Sequence, residues 1–190
     1  MITYTLIFIG TAKYKYPLIA PITQAIVAPL EIWMAFFIII GNSQFNYITV
    51  SYIYWTIVEI AIFLMIRKVY PFTKRQVIQY IIVLAFFASV IYYVMILKEQ
   101  FLFSHYFFSL IGMIFWLKFI FNEKYIFKPI TLAIFVSKFI ADFTAIPVYF
   151  GSKGIVVNML CVLLPLLDFI FIVVYFFRRR RAPYAENPEN

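Results

Sequence analysis

Residues 154–181 read GIVVNMLCVLLPLLDFIFIVVYFFRRRR. The apolar run from Gly154 to Phe176 contains a single ionisable side chain, Asp168, and leads into four consecutive arginines. A membrane-crossing helix needs about 20 mostly apolar residues, so this segment reads as a span whose C-terminal end is held at the membrane surface by charge. Five more stretches meet the same length, at residues 18–40, 46–66, 77–97, 101–121 and 127–149. Across all 190 residues, 65% are hydrophobic, 22% aromatic and 13% charged, which argues against an ordinary soluble domain. The apolar runs lack the strict alternation of a membrane barrel. Helices satisfy every backbone group inside lipid, and the expected fold is an all-α polytopic bundle of about six transmembrane helices.

Short connections at 41–45, 98–100 and 150–153 predict antiparallel helical hairpins. Residues 1–181 are expected to form one membrane-embedded helical domain, and 182–190 a polar, disordered tail. Residues 1–9 are apolar but too short to span, and Lys13 and Lys15 follow them, the wrong order for a signal peptide. They are expected to form an interfacial segment or a partial extra span. One cysteine, Cys161, excludes an intrachain disulfide framework, and the single histidine, His105, belongs to no metal-ligand cluster. No metal or cofactor is expected.

The formal charge of +8 combines 16 Lys and Arg with 8 Asp and Glu. In a six-span scheme, 13 of the basic residues fall on one side: Lys13, Lys15, Arg67, Lys68, Lys74, Arg75, Lys118, Lys124, Lys128 and residues 178–181. Lys98 and Lys153 are alone on the other side. Retention of Lys and Arg in the cytoplasm then predicts an integral membrane protein with both termini cytoplasmic. The basic surplus is a topology device that also attracts anionic lipid head groups. It gives no reason to expect a nucleic-acid partner.

Ionisable side chains inside spans are costly and mark a functional site or a structural pair. Here they are Glu31, Glu59, His105, Lys138, Asp142 and Asp168. Lys138 and Asp142 stand i,i+4 on one helix and form the expected structural ion pair. At about 1.5 Å per residue, Glu59 and Asp168 lie at similar depth, on the order of 10 to 12 Å from the cytoplasmic ends. Glu31, Lys138 and Asp142 fall nearer the middle, which suggests two polar layers. If Glu59 and Asp168 face one cavity, desolvation and mutual repulsion leave a neutral carboxylic acid able to donate a proton. The alternative is a protonated carboxyl that hydrogen-bonds across helices as packing glue.

Pro29 precedes Glu31 by two residues and Pro165 precedes Asp168 by three. A proline inside a helix frees the carbonyl four residues back and bends the axis. Gln24 and Asn158, near these bends, are candidates to contact a substrate or to repair the freed backbone. Tyr52, Trp55 and Glu59 follow i, i+3, i+7, so two rings stand beside an acid on one helix face. Rings around a carboxylic acid suit an apolar substrate that becomes a carbocation, although ordinary packing uses the same spacing.

At these residues the chain resembles the transmembrane terpene cyclases of meroterpenoid and indole-diterpene biosynthesis. Trp55-Thr56-Ile57-Val58-Glu59, followed by an apolar run and Arg67-Lys68, looks like the family's segment of Trp, three residues and an acid. Leu164-Pro165-Leu166-Leu167-Asp168-Phe169 is similar to its final-span Asp followed by an aromatic. Ser137-Lys138 resembles a recurring Ser-Lys pair, and Tyr16-Pro17-Leu18-Ile19-Ala20 its Pro-Leu entry to a span. In that span Gln24 stands at the family's Asn position, Val27 and Ala28 at its Trp-Glu pair, and Glu31 three residues later. The resemblance implies protonation of an epoxide or alkene of a prenyl chain, ring closure through carbocations and loss of a proton. It makes Glu31 and Asp168 the acids and Glu59 a third carboxyl that orients them or moves protons. The implied partner is a hydrophobic, prenylated or lipid-like small molecule, surrounded by membrane lipids. The chain has no Asp-Asp-x-x-Asp run to hold magnesium on a diphosphate, which agrees with acid initiation.

Two other classes stay open. Six spans in this length match a membrane substrate-binding or transport subunit, in which intramembrane acids serve ligand or proton coupling. Against it, Ala20, Ala25 and Ala28 are too few and too interrupted by proline to form a stripe for docking a partner helix. An assembly factor whose charges pair only with each other is the third.

Overall fold

The computed structural model describes residues 2–41, 47–69, 72–94, 101–122, 127–149 and 154–181. Among them the chain is all-α, with seven helices: α1 (Ile2–Tyr14), α2 (Pro21–Gly41), α3 (Tyr47–Val69), α4 (Lys74–Tyr92), α5 (Phe101–Ile120), α6 (Pro129–Tyr149) and α7 (Ile155–Arg181). Four of these helices are long and apolar enough to cross a membrane, over Lys74–Tyr92, Leu102–Ile120, Pro129–Pro147 and Ile155–Arg179, and they mark the chain as a membrane protein. The outer surface agrees with this. Ile82 on α4, Phe143 on α6 and Phe177 on α7 are each more than half exposed, a surface suited to lipid and not to water. The expected loops 42–45, 98–100 and 150–153 and the tail 182–190 lie outside the described residues.

Local chemistry sets the helix starts. Thr73 caps α4 reciprocally: its hydroxyl accepts from the Gln76 backbone N–H at 3.3 Å, and its own N–H donates to Gln76 Oε1 at 2.9 Å. Pro21 and Pro129 occupy the first positions of α2 and α6, where a missing N–H costs nothing. Pro29, Pro147 and Pro165 sit inside helices, so the carbonyls of Ala25, Phe143 and Cys161 lose their usual amide donors.

Residues 2–14 form a helix packed into the bundle against α3 and α6, with Thr3, Ile7, Gly10 and Thr11 buried, which fits the expected partial extra span better than an interfacial segment. The apolar stretch is too short to span, but small residues on its inner face allow close packing. A Cβ at Gly10 would come within 2.3 Å of Leu18 Cδ1, so any other residue there requires the Leu18 side chain to move. Thr3 bonds Ser137 at 2.9 Å and Thr5 bonds Tyr54, which joins α1 to α6 and α3. Lys15, with φ of 49°, ends α1 in the left-handed region.

Ring contacts and hydrogen bonds define the helix directions. Thr23 Oγ1 donates to the Gly112 carbonyl at 2.9 Å and Trp116 Nε1 to the Leu18 carbonyl at 3.0 Å, so the start of α2 meets the end of α5. Trp116, Phe135 and Phe171 form one buried ring cluster with centroids 5.3 to 5.7 Å apart, bringing α5, α6 and α7 together. Phe127 meets Tyr175, and Arg178 donates to the Phe121 carbonyl at 3.2 Å. These contacts gather Lys13, Lys118, Lys128 and Arg178 at one end of the bundle. Near the other end, Leu30, Ile91 and Phe108 form a smaller core, and Trp33 Nε1 donates to the Ala88 carbonyl at 3.0 Å. Ala20, Ala25 and Ala28 are buried inside the chain's own bundle, where they let α2 run close to its neighbours.

Candidate functional site

The buried acids form a polar array inside this apolar frame. Glu59, midway along α3, is 1% exposed. Gln24 of α2 reaches it with one amide nitrogen, donating to the Glu59 backbone carbonyl at 2.8 Å and to Glu59 Oε2 at 3.2 Å. Tyr80 of α4 donates its phenolic O–H to Gln24 Oε1 at 2.8 Å. Glu59 Oε1 is buried with no hydrogen-bond partner. The Tyr4 phenol of α1 stands close to the same carboxyl. Glu31, two turns beyond Gln24 on α2, is 3% exposed and lies within electrostatic range of both Glu59 and Lys138. Its Oε2 is also buried without a partner.

The second half of the array lies between α6 and α7. Lys138 Nζ meets Asp142 Oδ2 at 2.6 Å, the i,i+4 pair expected from the spacing, and reaches across to Asp168 Oδ1 at 3.7 Å. Asp168 is 0% exposed, and neither of its carboxyl oxygens has a hydrogen-bond partner. His105 of α5 lies within electrostatic range of Asp142 and Lys138, with Nδ1 buried and unpartnered.

Depth counting places Glu59 and Asp168 at one level, and the packing agrees. Thr23 contacts Gly112, one turn from Trp116; the Trp116 ring meets Phe171, less than one turn from Asp168. The neighbours differ from the two-layer picture, however. Asp168 is met by Lys138 and Glu59 by Gln24, so the acids are divided by helix pair and not by depth. Helix rotation decides this, and depth along an axis carries no information about it.

Trp55 is half-buried on α3, one turn before Glu59. Tyr52 lies on α3 with its side chain outside the described residues. Asn158 stands one turn into α7, ten residues and ~15 Å along the axis from Asp168. Along that axis it is not beside Asp168. Gln24 does meet a carboxyl, but its amide is committed to Glu59 and Tyr80.

Sequence reasoning missed Tyr80 and Tyr4 as neighbours of the acid. Fifteen tyrosines, most of them near span ends, hide the two that meet the acid. A weak signal exists for Tyr80, whose i−4 neighbour Gln76 caps the same helix near Thr73. The two outer grooves, lined by Phe121, Val174, Phe177 and Arg178 and by Ala85, Phe86, Ser89, Val90 and Tyr93, hold none of the acids. Among the described residues no three His, Cys, Asp or Glu side chains converge as a metal-ion site. No protein family, no curated protein and no solved structure matches the chain.

Proposed function

We propose that the chain is a membrane-embedded, terpene cyclase-like enzyme in which a buried carboxylic acid protonates an epoxide or alkene of a prenyl chain. The observation that carries this reading is the charge count in the core. Four buried or half-buried carboxyls, Glu31, Glu59, Asp142 and Asp168, share one lysine. Asp142 takes the close contact with Lys138 and is the carboxylate of the set. An uncompensated charge in an apolar core is very costly, so Glu31, Glu59 and Asp168 hold their protons. Three neutral acids with unpartnered oxygens, in a bundle lined by rings, are the equipment for general-acid chemistry on an apolar substrate.

The step balances without a co-reactant. The acid O–H bond breaks, and its proton goes to the epoxide oxygen or to an alkene carbon. The resulting cation takes the π pair of an internal alkene to form the ring bond. The final carbocation loses a proton to a carboxylate, which restores the acid. Aromatic faces stabilise the passing positive charge and keep water from capturing it.

The same proposal includes the topology. Helices α2 to α7 cross the bilayer six times with the basic end in the cytoplasm, and α1 adds a half-length helix whose Lys13 lies at that face. Maleimide labelling of Lys74→Cys from the cytoplasmic side only is the expected result.

Purified protein in detergent or nanodiscs, given epoxidised prenyl-aromatic substrates, should yield cyclised isomers. Glu31→Gln and Asp168→Asn should each lower the rate by about a hundredfold or more, as expected for a lost general acid, while the protein stays monodisperse. Unchanged turnover in both variants refutes the assignment. Co-purification of a nucleotide-hydrolysing partner or a polar ligand would move the reading to the transport class.

A further inference from the structure

We infer that Tyr80 and Gln24 are positioning residues that decide which oxygen of Glu59 carries its proton, an inference that rests on the acid-initiated reading above. A backbone carbonyl can only accept, so the Gln24 atom 2.8 Å from the Glu59 carbonyl is the amide nitrogen. That fixes the amide orientation and turns Gln24 Oε1 toward Tyr80, whose phenol then donates to it at 2.8 Å. The second amide hydrogen points at Glu59 Oε2, 3.2 Å away. The hydroxyl oxygen of a carboxylic acid is a poorer acceptor than its carbonyl oxygen, so the oxygen that takes the amide hydrogen is favoured as the carbonyl and the other as the bearer of the proton. The proton of Glu59 therefore sits on Oε1, the buried oxygen without a partner.

This arrangement makes two residues on two other helices responsible for the direction of one acid. Gln24 is a positioning group and not a substrate contact, since both ends of its amide are taken. Tyr80, on the outlying helix α4, reaches inward to lock Gln24 while its ring stacks on Phe63 of α3 at 5.2 Å between centroids. The other ionisable groups facing the Glu59 carboxyl are Tyr4 from α1, whose phenol hydrogen-bonds that carboxyl, and Glu31 from α2. Neither holds Oε1 in a hydrogen bond, which leaves that oxygen able to donate its proton to a substrate.

Tyr80→Phe tests this, because it removes one hydroxyl and keeps the ring. Cyclisation kinetics are read beside the infrared band of protonated carboxyls, with the Glu59 band assigned by its loss in Glu59→Gln. The expected result is a fall in kcat of about tenfold, the rate equivalent of one neutral hydrogen bond, with KM within about twofold and the Glu59 band shifted. Wild-type turnover with an unchanged kcat in Tyr80→Phe overturns the inference and leaves the cyclase reading standing. A fall in kcat with an unshifted band also overturns it, since the effect then does not pass through the carboxyl. No turnover by the wild type removes the cyclase reading and the positioning role together.

Discussion

The two halves of the buried array solve the same problem by different means. Between α2, α3 and α4, Gln24, Glu59 and Tyr80 form a set in which the amide and phenol hydrogens each have a defined acceptor. Between α6 and α7, Lys138, Asp142 and Asp168 are held by charge, with one cation facing two acids at 2.6 and 3.7 Å. The first set depends on direction and the second on balance. A directional set loses one bond at a time, whereas a balanced set fails when its only cation is removed.

The largest expected effect follows from this. Lys138→Met leaves Asp142 and Asp168 side by side with no cation, and breaking a buried pair from one side costs about 3 kcal/mol. Unfolding in mixed micelles should show that loss. The double variant Lys138→Met, Asp142→Leu should recover most of it, because the remaining acid can stay neutral. A single variant as stable as the wild type would show that charge balance does not hold this half.

A second change strikes the directional half and spares the other. A Cβ at Gly112 would come within 2.8 Å of Val27 Cγ2 and 3.5 Å of Thr23 Cγ2, so α5 and α2 approach closely one residue from Gln24. Gly112→Leu must push α2 outward and should cost about 2 kcal/mol, in the usual range for overpacking. The Glu59 infrared band should shift as well, while the Lys138→Met deficit measured in this background stays the same size. A change in that deficit would mean that the two halves share a scaffold.

What could be read from the sequence divides along the same line. The Lys138–Asp142 pair was legible because both residues sit on one helix, where spacing fixes the geometry. The common depth of Glu59 and Asp168 was legible because rise per residue is constant. The meeting of Lys138 with Asp168, and of Tyr80 with Gln24, was not, since each depends on how two helices rotate against each other. How deeply α1 packs was not legible, since length and charge order carry no packing information. Its burial comes from Gly10 and the threonines, whose small size permits close packing and leaves no hydropathy signal. The gathering of Lys13, Lys118, Lys128 and Arg178 at one end was legible as a pattern, because charge placement at helix ends needs no tertiary information.

The smallest effect gives the sharpest test of whether the array is one site or two. Tyr80→Phe removes one hydrogen bond, and Asp142→Asn leaves Lys138 with Asp168 as its remaining acid. The two positions share no partner, so their costs should add, with a coupling energy below about 0.5 kcal/mol. Glu31 lies within electrostatic range of both Glu59 and Lys138, and the Tyr4 phenol within range of Glu59 and Asp142. If Glu31 carries a proton, it is neutral and transmits little between the halves. If it is ionised, removing charge at Asp142 changes the field it feels, and the change reaches Glu59. A coupling above about 1 kcal/mol that disappears in a Glu31→Gln background would therefore mean that Glu31 is charged, and the count of three neutral acids would be wrong.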